Sequence, residues 1–525
     1  MSSTLQEKEI KDDNKKVEEA VEEGESADAD TRLEALGYAP EMRRNLSTIA
    51  VLGMGASIIA APFGLTTSAS FALVNGGAAS YVWGWIFLSI VSLAIAASLG
   101  EICSLYPTSG GVYVWTAHLA PSKQSAIIAS YIVGWLSCIA NILLCLSIAF
   151  GEAQLIMAAI SLFRDQNWTP EAWQTILCFW AVLLVAAAVN AFGVKSKSLE
   201  PINVASIWWT AGASLIILVT TLAMSDVKRS ASDVFVQWNN TSGWPDGWSW
   251  FVGLLTPAYV LTGYGTISNL CEEVRQPERA VPRAMLGSVV VASLNGLAFI
   301  LPLTFVFPSP SELEAALEAA SGLVPYVFAQ ATGTAGGAFG LLFLVLGIGL
   351  FASISSFTVA FRCIWAFSRD GGLPGSRWLR RVDPRLIVPL NSLIVSTVII
   401  GLLGLIYLGA TSAFNAFTGS CTILLGVSYV VPIAMLLSRR RAPVRFASWG
   451  LGRLGWIANV VALAWVLFSI ILFCFPTTAS ITPASMNYAS VVVSFFAAFA
   501  AVFYFTIART RYQGPLGAGQ HGDRA

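Results

Sequence analysis

The chain has 525 residues, of which 56% are hydrophobic, 12% aromatic and only 11% charged, with a mean hydropathy of +0.69. That composition excludes an ordinary soluble globule and identifies an integral membrane protein. Thirty Lys and Arg balance thirty Asp and Glu, so net charge offers nothing to nucleic acid or to an acidic partner.

Residues 1–45 are polar and acidic, as in "EEAVEEGESADAD", and read as a disordered cytoplasmic tail. They lack the basic-then-apolar pattern of a cleaved signal peptide, so the first span is expected to serve as the insertion signal. A helix crosses the hydrocarbon core with roughly 20 apolar residues. Twelve such spans follow, near 47–72, 81–105, 126–160, 172–193, 199–224, 249–270, 284–307, 337–366, 388–408, 413–437, 454–475 and 485–508. The third is long enough to tilt or to project from the membrane. The expected organisation is a tail (1–45), a twelve-helix all-α membrane domain (46–509) and a short cytoplasmic tail (510–525).

Basic residues test the count, because they concentrate in cytoplasmic connections. The connections after spans 2, 4, 6, 8 and 10 carry sixteen Lys and Arg, whereas the other six carry only Arg164, Lys228 and Arg229. This asymmetry predicts that both termini are cytoplasmic. The N-x-[ST] sequons at Asn167, Asn239 and Asn240 fall in connections predicted outside, which lends mild support.

The eight cysteines lie in or beside apolar runs without a C-x-x-C pair, so neither a disulfide framework nor a metal cluster is expected. Two histidines, His118 and His521, cannot form a metal or haem site alone. No Walker loop, nucleophile elbow, zinc motif or acid/base pair stands out, and no soluble segment is large enough for a nucleotide-binding domain. ATP-driven transport and enzymology are therefore disfavoured, and no cofactor is expected.

Function must reside in residues within the spans. In span 1, "GMGASI" (Gly53 to Ile58) is a candidate unwound segment, since non-helical backbone at mid-depth survives only where it is buried or lines a cavity. The competing reading is that Gly53, Gly55 and Ala56 permit close helix packing. Span 6 repeats the pattern with Pro257 and "TGYGT" (Thr262 to Thr266). Paired interruptions five spans apart point to an inverted-repeat transporter whose broken helices build the substrate site.

A charge inside the membrane costs about 3 kcal/mol on insertion scales, which singles out Glu152 as a candidate proton carrier or partner for a substrate amine; a location near outside water is the competing reading. Glu101, at the end of span 2, is expected to cap or pair across a helix interface. Glu272 and Glu273, beside Arg275 and Arg279, read as a solvated ion-pair cluster or inner gate. Arg362 is expected to snorkel or pair with a gate acid. In "SRDGGLP", Arg369 and Asp370 are expected to fix a cytoplasmic turn. Ser353, Ser355 and Ser356 could line a cation site or bond to the preceding helical turn. Most tryptophans lie at span ends, where an interfacial belt explains them. Tyr259 and Tyr264, within the interrupted span 6, are the aromatic candidates for the site.

Several motifs carry a family resemblance: "LEALGYAPEMRRNLSTIAVLGMGASI", "SLGEICSLYPTSGGVYVWTAHLAP", "TGYGTISNLCEEVRQPERAVPRAM", "RCIWAFSRDGGLPGSRWLRRVDPR" and "SMNYASVVV". Spread over about residues 33–510, they resemble the amino acid/polyamine/organocation superfamily, and more narrowly the fungal amino acid and choline transporters that include GABA and choline permeases. The resemblance implies two inverted five-helix repeats with discontinuous helices 1 and 6, followed by two extra helices. It also implies alternating access and usually proton-driven uptake of a small zwitterion or cation. Carried onto this chain, it implies that Gly53, Gly55, Ala56 and Ser57 contact a substrate carboxylate, while Thr262, Gly263, Tyr264 and Gly265 face the amine. Relatives often read T-G-Y-D in span 6 with a histidine four residues later; here those positions are Gly265 and Asn269, which removes a carboxylate that a strongly cationic substrate would use.

The resulting expectation is a proton-coupled plasma-membrane importer of a small amino compound. GABA-like amino acids come first, and choline or a polyamine second. A non-transporting nutrient sensor with the same fold is the rival from another class, and an exporter stays open. The partners are the substrate, protons and the bilayer; the sequence is silent on oligomeric state.

Overall fold

Lipid offers no hydrogen bonds, so an apolar crossing segment must satisfy its own backbone, and an α-helix does this within one segment. In the computed structural model, which describes residues 26–515 apart from 165–167, 197, 227, 309–315, 318, 320, 410–412 and 483–485, eleven helices are long and apolar enough to cross a membrane. They are Thr48–Val74, Gly77–Leu105, Lys123–Ser161, Ala172–Ser196, Leu199–Met224, Pro277–Val306, Ala335–Arg369, Leu390–Leu408, Asn415–Ser438, Leu454–Leu472 and Ala489–Arg511. These match eleven of the twelve expected spans. The remaining one, span 6, is present but broken into Asp246–Gly253, Leu255–Val260 and a 3-10 helix at Tyr264–Glu273. Asn167 and His521 lie outside the described residues.

Burial orders the bundle. The most apolar stretch of span 3 is 89% buried and that of span 12 only 6%, so span 3 runs through the centre and span 12 lies on the lipid-facing perimeter. Span 3 starts at Ser122, whose side chain accepts from the Ser125 amide in a reciprocal capping box. Its 39 residues reach about 58 Å at about 1.5 Å per residue, which exceeds the hydrocarbon core.

The N-terminal region departs from the expected tail. Residues 26–35 are helical, with Ala29 and Leu33 buried. Arg44 ties this helix down by pairing with Asp30 at 2.7 Å while donating to the Cys271 and Val274 carbonyls. A short apolar stripe and one arginine thus give the segment a docking surface that its acidic composition concealed.

The other end of the bundle is closed by connections. Asn75–Gly76 pairs antiparallel with Asn239–Asn240, and Asn75 Nδ2 donates to the Thr477 carbonyl. Asn240 Nδ2 is engaged by the Trp244 carbonyl and Asp246. All eight cysteines are free; Cys103 approaches Cys271 and Cys138 approaches Cys363.

Candidate functional site

The helix of span 1 runs unbroken through Gly53–Ile58 and stops at Ala60, which adopts a left-handed conformation (φ 43°, ψ 52°). The expected unwinding within "GMGASI" therefore gives way to a break just beyond it. Pro62 supplies the reason: a proline inside a continuous helix removes a hydrogen bond and collides with the carbonyl four residues back. The helix restarts at Ala61 with Pro62 in its first turn. Its first N–H groups, those of Ala61 and Phe63, have no partner within the helix and present a partial positive charge.

Span 6 breaks where expected. Gly263 takes φ 81° and initiates the 3-10 turn, with Thr266 donating back to the Gly263 carbonyl from both its amide (3.0 Å) and its hydroxyl (2.6 Å). The hydroxyl of Ser92 in span 2 donates to the freed Leu261 carbonyl. The two breaks abut one another. A Cβ on Gly263 would lie 2.7 Å from Ile58 and 3.3 Å from Leu144, and a Cβ on Gly64 would lie 2.8 Å from Val260. Between them is a cavity of about 10 Å³, lined by Ile58, Ala60, Phe63, Leu144, Ile148 and Tyr259 among others. That is room for about one water, so the site is closed around its own walls.

The candidate residues distribute themselves around this point. Tyr259 lines the cavity and donates to Ser147 at 3.0 Å. Thr262 and Tyr264 are buried, and Tyr264 faces Tyr429 with ring centroids 5.7 Å apart. Gly265 is held against the same Tyr429 ring, where a Cβ would come within 2.7 Å. Gly53, Gly55, Ala56 and Ser57 lie before the break and do not line the cavity. Gly53 packs against the Asn203 backbone, and Gly55 against Ile267 and Ser288. The Ala56 carbonyl accepts from the Ala60 amide. Ser57 bonds to Ser206 at 2.5 Å, and Asn203 accepts from Ser355 at 3.4 Å, so spans 1, 5 and 8 share a small polar seam. Ser356 bonds back to the Ser353 carbonyl within span 8.

Glu152 is 3% exposed, and its Oε2 has no hydrogen-bond partner among the described residues. It follows the cavity residue Ile148 by about one helical turn. A Cβ on Gly349 would strike both its carboxylate and Phe63, so Glu152 stands against the Phe63 wall of the cavity. Two residues further, Gln154 belongs to a vestibule of about 300 Å³ that Thr66, Thr175 and Tyr407 also line.

The opposite, basic end is sealed. Glu272 receives two bonds of 2.8 Å from Arg369 and one of 3.2 Å from the Ser109 amide. Glu273 pairs with Arg362 through both of its oxygens. Glu272 and Glu273 are 2% and 5% exposed, which corrects the expectation of a solvated cluster; loops 2–3 and the N-terminal segment cover them. The Arg369 guanidinium is stacked 4.2 Å from the centroid of Tyr38 and 4.7 Å from that of Trp365. Asp370 accepts from Tyr38 (3.0 Å) and Tyr113 (2.7 Å). Burial, aided by the Asp370 carboxylate, holds the Tyr38 hydroxyl well above its ordinary pKa, so it stays a donor. Glu101 pairs with Arg441 (2.7 Å) and accepts from the Leu451 amide (2.6 Å), an interface role.

The sequence reading passed over Ala60 and Phe63. The available signal was Pro62 in mid-span, because proline is accommodated in the first turn of a helix but not in its interior.

Comparison with known proteins adds one family and several relatives. The family described as "Amino acid permease" matches residues 46–496. A choline transporter of Saccharomyces cerevisiae is 31% identical over 93% of this chain and 86% of its own length. Amino-acid permease 2 of Neurospora crassa is 31% identical over 94% of this chain and 90% of its own. A polyamine transporter of Saccharomyces cerevisiae is 30% identical, covering 90% and 76% respectively.

Proposed function

The chain belongs to the amino acid permease family, and from that premise we propose that it imports a small zwitterionic amino compound, such as GABA or another amino acid, by proton-coupled alternating access. Its basic end and both termini face the cytoplasm, and the plasma membrane is its place of work. The observation that carries this reading is the pair of facing breaks at Ala60 and Leu261–Gly263 around a closed cavity. Amides at the start of the Ala61 helix suit a carboxylate, while span 6 carbonyls and the Tyr259 and Tyr264 rings suit an amine. No Asp or Glu lines the cavity, which disfavours a polyamine with several charges.

In this reading the structure is a state closed at the cytoplasmic end, with the vestibule leading inward from outside. Glu152, between vestibule and cavity, takes a proton from the outer side. Protonation removes the charge that makes a lone buried carboxylate costly and lets Phe63 and the halves of span 1 move together. Rupture of the Glu272–Arg369 and Glu273–Arg362 pairs then opens the other side. A second reading, choline import, is favoured by the aromatic walls of the cavity and by likeness to a yeast choline transporter.

Uptake of labelled GABA, choline, putrescine and a panel of amino acids into proteoliposomes, with and without an inward proton gradient, tests this. Accumulation of one amino acid that collapses with a protonophore is the expected result. Accumulation of choline alone selects the second reading, and binding without flux of any compound refutes transport.

A further inference from the structure

We propose that the groove between spans 3 and 12 at the basic end is a binding site for one anionic phospholipid, with its phosphate on Arg509 and a glycerol ester carbonyl accepting the indole N–H of Trp135. The groove has a volume of about 560 Å³ and is lined by Gln124, Tyr131, Trp135, Phe496, Tyr504 and Arg509, among others. Its outer wall, span 12, is the least buried of the crossing helices, so the groove opens to the bilayer.

Two features of the groove call for a ligand of this chemistry. Trp135 is 7% exposed and wedged against Phe499 and Phe503 (centroids at 5.6 and 5.7 Å), and its Nε1 makes no well-formed hydrogen bond among the described residues, the Tyr131 hydroxyl beside it serving at most as a weak acceptor. The neighbouring Tyr131 hydroxyl is directed to the Ala500 carbonyl at 3.4 Å. A buried N–H left with so poor an acceptor is costly, and a lipid ester carbonyl removes that cost. At the rim, Arg509 makes no ion pair among the described residues. Arg511 and Arg377 line an adjoining cavity of about 650 Å³ against the same helix end, and neither cavity has an acidic residue in its lining. The charge is therefore complementary to an anionic headgroup.

The spacing selects the class of lipid. From Phe503, which packs on Trp135, to Arg509 is six residues, at most about 9 Å along the helix axis. Between them Tyr504–Ala508 forms a π-helical turn, a local widening that often marks functional positions. A diacyl phospholipid offers acceptors at two depths, phosphate and ester, above chains that fill the apolar part. A sterol offers a single hydroxyl and can meet only one of the two polar points.

Native mass spectrometry of the full-length chain in mild detergent tests the site with dioleoylphosphatidylglycerol, dioleoylphosphatidylcholine and ergosterol as probes. The expected result is one tightly held phosphatidylglycerol, bound at least fivefold more strongly than phosphatidylcholine. Arg509→Gln and Trp135→Phe should each weaken it at least threefold, while Arg445→Gln, on another basic connection, should leave it unchanged. Arg509 is exposed, so its variant carries the test even if Trp135→Phe lowers the melting temperature of the lipid-free protein. Equal binding of the two phospholipids, unaltered binding by Arg509→Gln, or displacement of phosphatidylglycerol by ergosterol would overturn the proposal.

Discussion

Replacing Glu273 by Gln should loosen the sealed basic end, and the structure sets the scale. Both side chains of the Glu273–Arg362 pair are nearly inaccessible, at 7% and 3% exposure, so solvent screening gives little relief. Removing one partner of such a pair leaves a buried charge uncompensated, at a cost of about 3–5 kcal/mol. Gln keeps an acceptor for one guanidinium N–H, which favours the lower figure. At about 1.4 kcal/mol per decade, roughly 100-fold of the closed state's advantage is lost. Cys271, wholly buried beside Cys103, is a built-in reporter. Its alkylation rate by iodoacetamide, followed by peptide mass spectrometry, should rise at least tenfold in Glu273→Gln. Pairing Glu273→Leu with Arg362→Met removes both charges and should bring the rate back towards that of the parent. An unchanged rate in a folded Glu273→Gln protein would refute the idea that this pair holds the end shut; so would a double variant that labels as fast as the single one.

Other outcomes follow from the site. Tyr264→Ala should abolish saturable uptake at unchanged surface expression, as measured with labelled substrate and surface biotinylation. Glu152→Gln should flatten the pH dependence of uptake, and an unaltered profile would remove Glu152 from proton coupling. Gly263→Ala adds a left-handed penalty of about 1–2 kcal/mol and overpacks Ile58 at a further cost of about 1–3 kcal/mol. The protein should therefore melt several degrees lower and transport poorly; wild-type melting would show that the φ of 81° is not required.

The spans could be read from the chain because hydropathy is a local property. The span 6 break was equally legible, since Gly263 and Pro257 disfavour helix in their own right. In span 1 the packing alternative holds, with Gly53 and Gly55 against Asn203 and Ser288, while the break follows from Pro62. The partners of Glu272 and Glu273 lie 97 and 89 residues away, and no local pattern encodes such pairings. For the same reason the acids looked solvated. The helix at 26–35 was hidden by composition: an acidic stretch needs only two or three apolar side chains on one face to dock.

The contact between Tyr38 and the end of span 8 bears on turnover. Tyr38 covers the Arg369 guanidinium and bonds to Asp370, while Arg44 grips the carbonyls that end span 6. On the proposed alternating-access cycle, separation at that end peels residues 38–46 from both helices on every stroke, which adds to the activation barrier without any contact with the cavity. On that cycle the speed of turnover and the choice of cargo fall to different stretches of chain. Substitutions between 26 and 46 can retune one while leaving the other as it was.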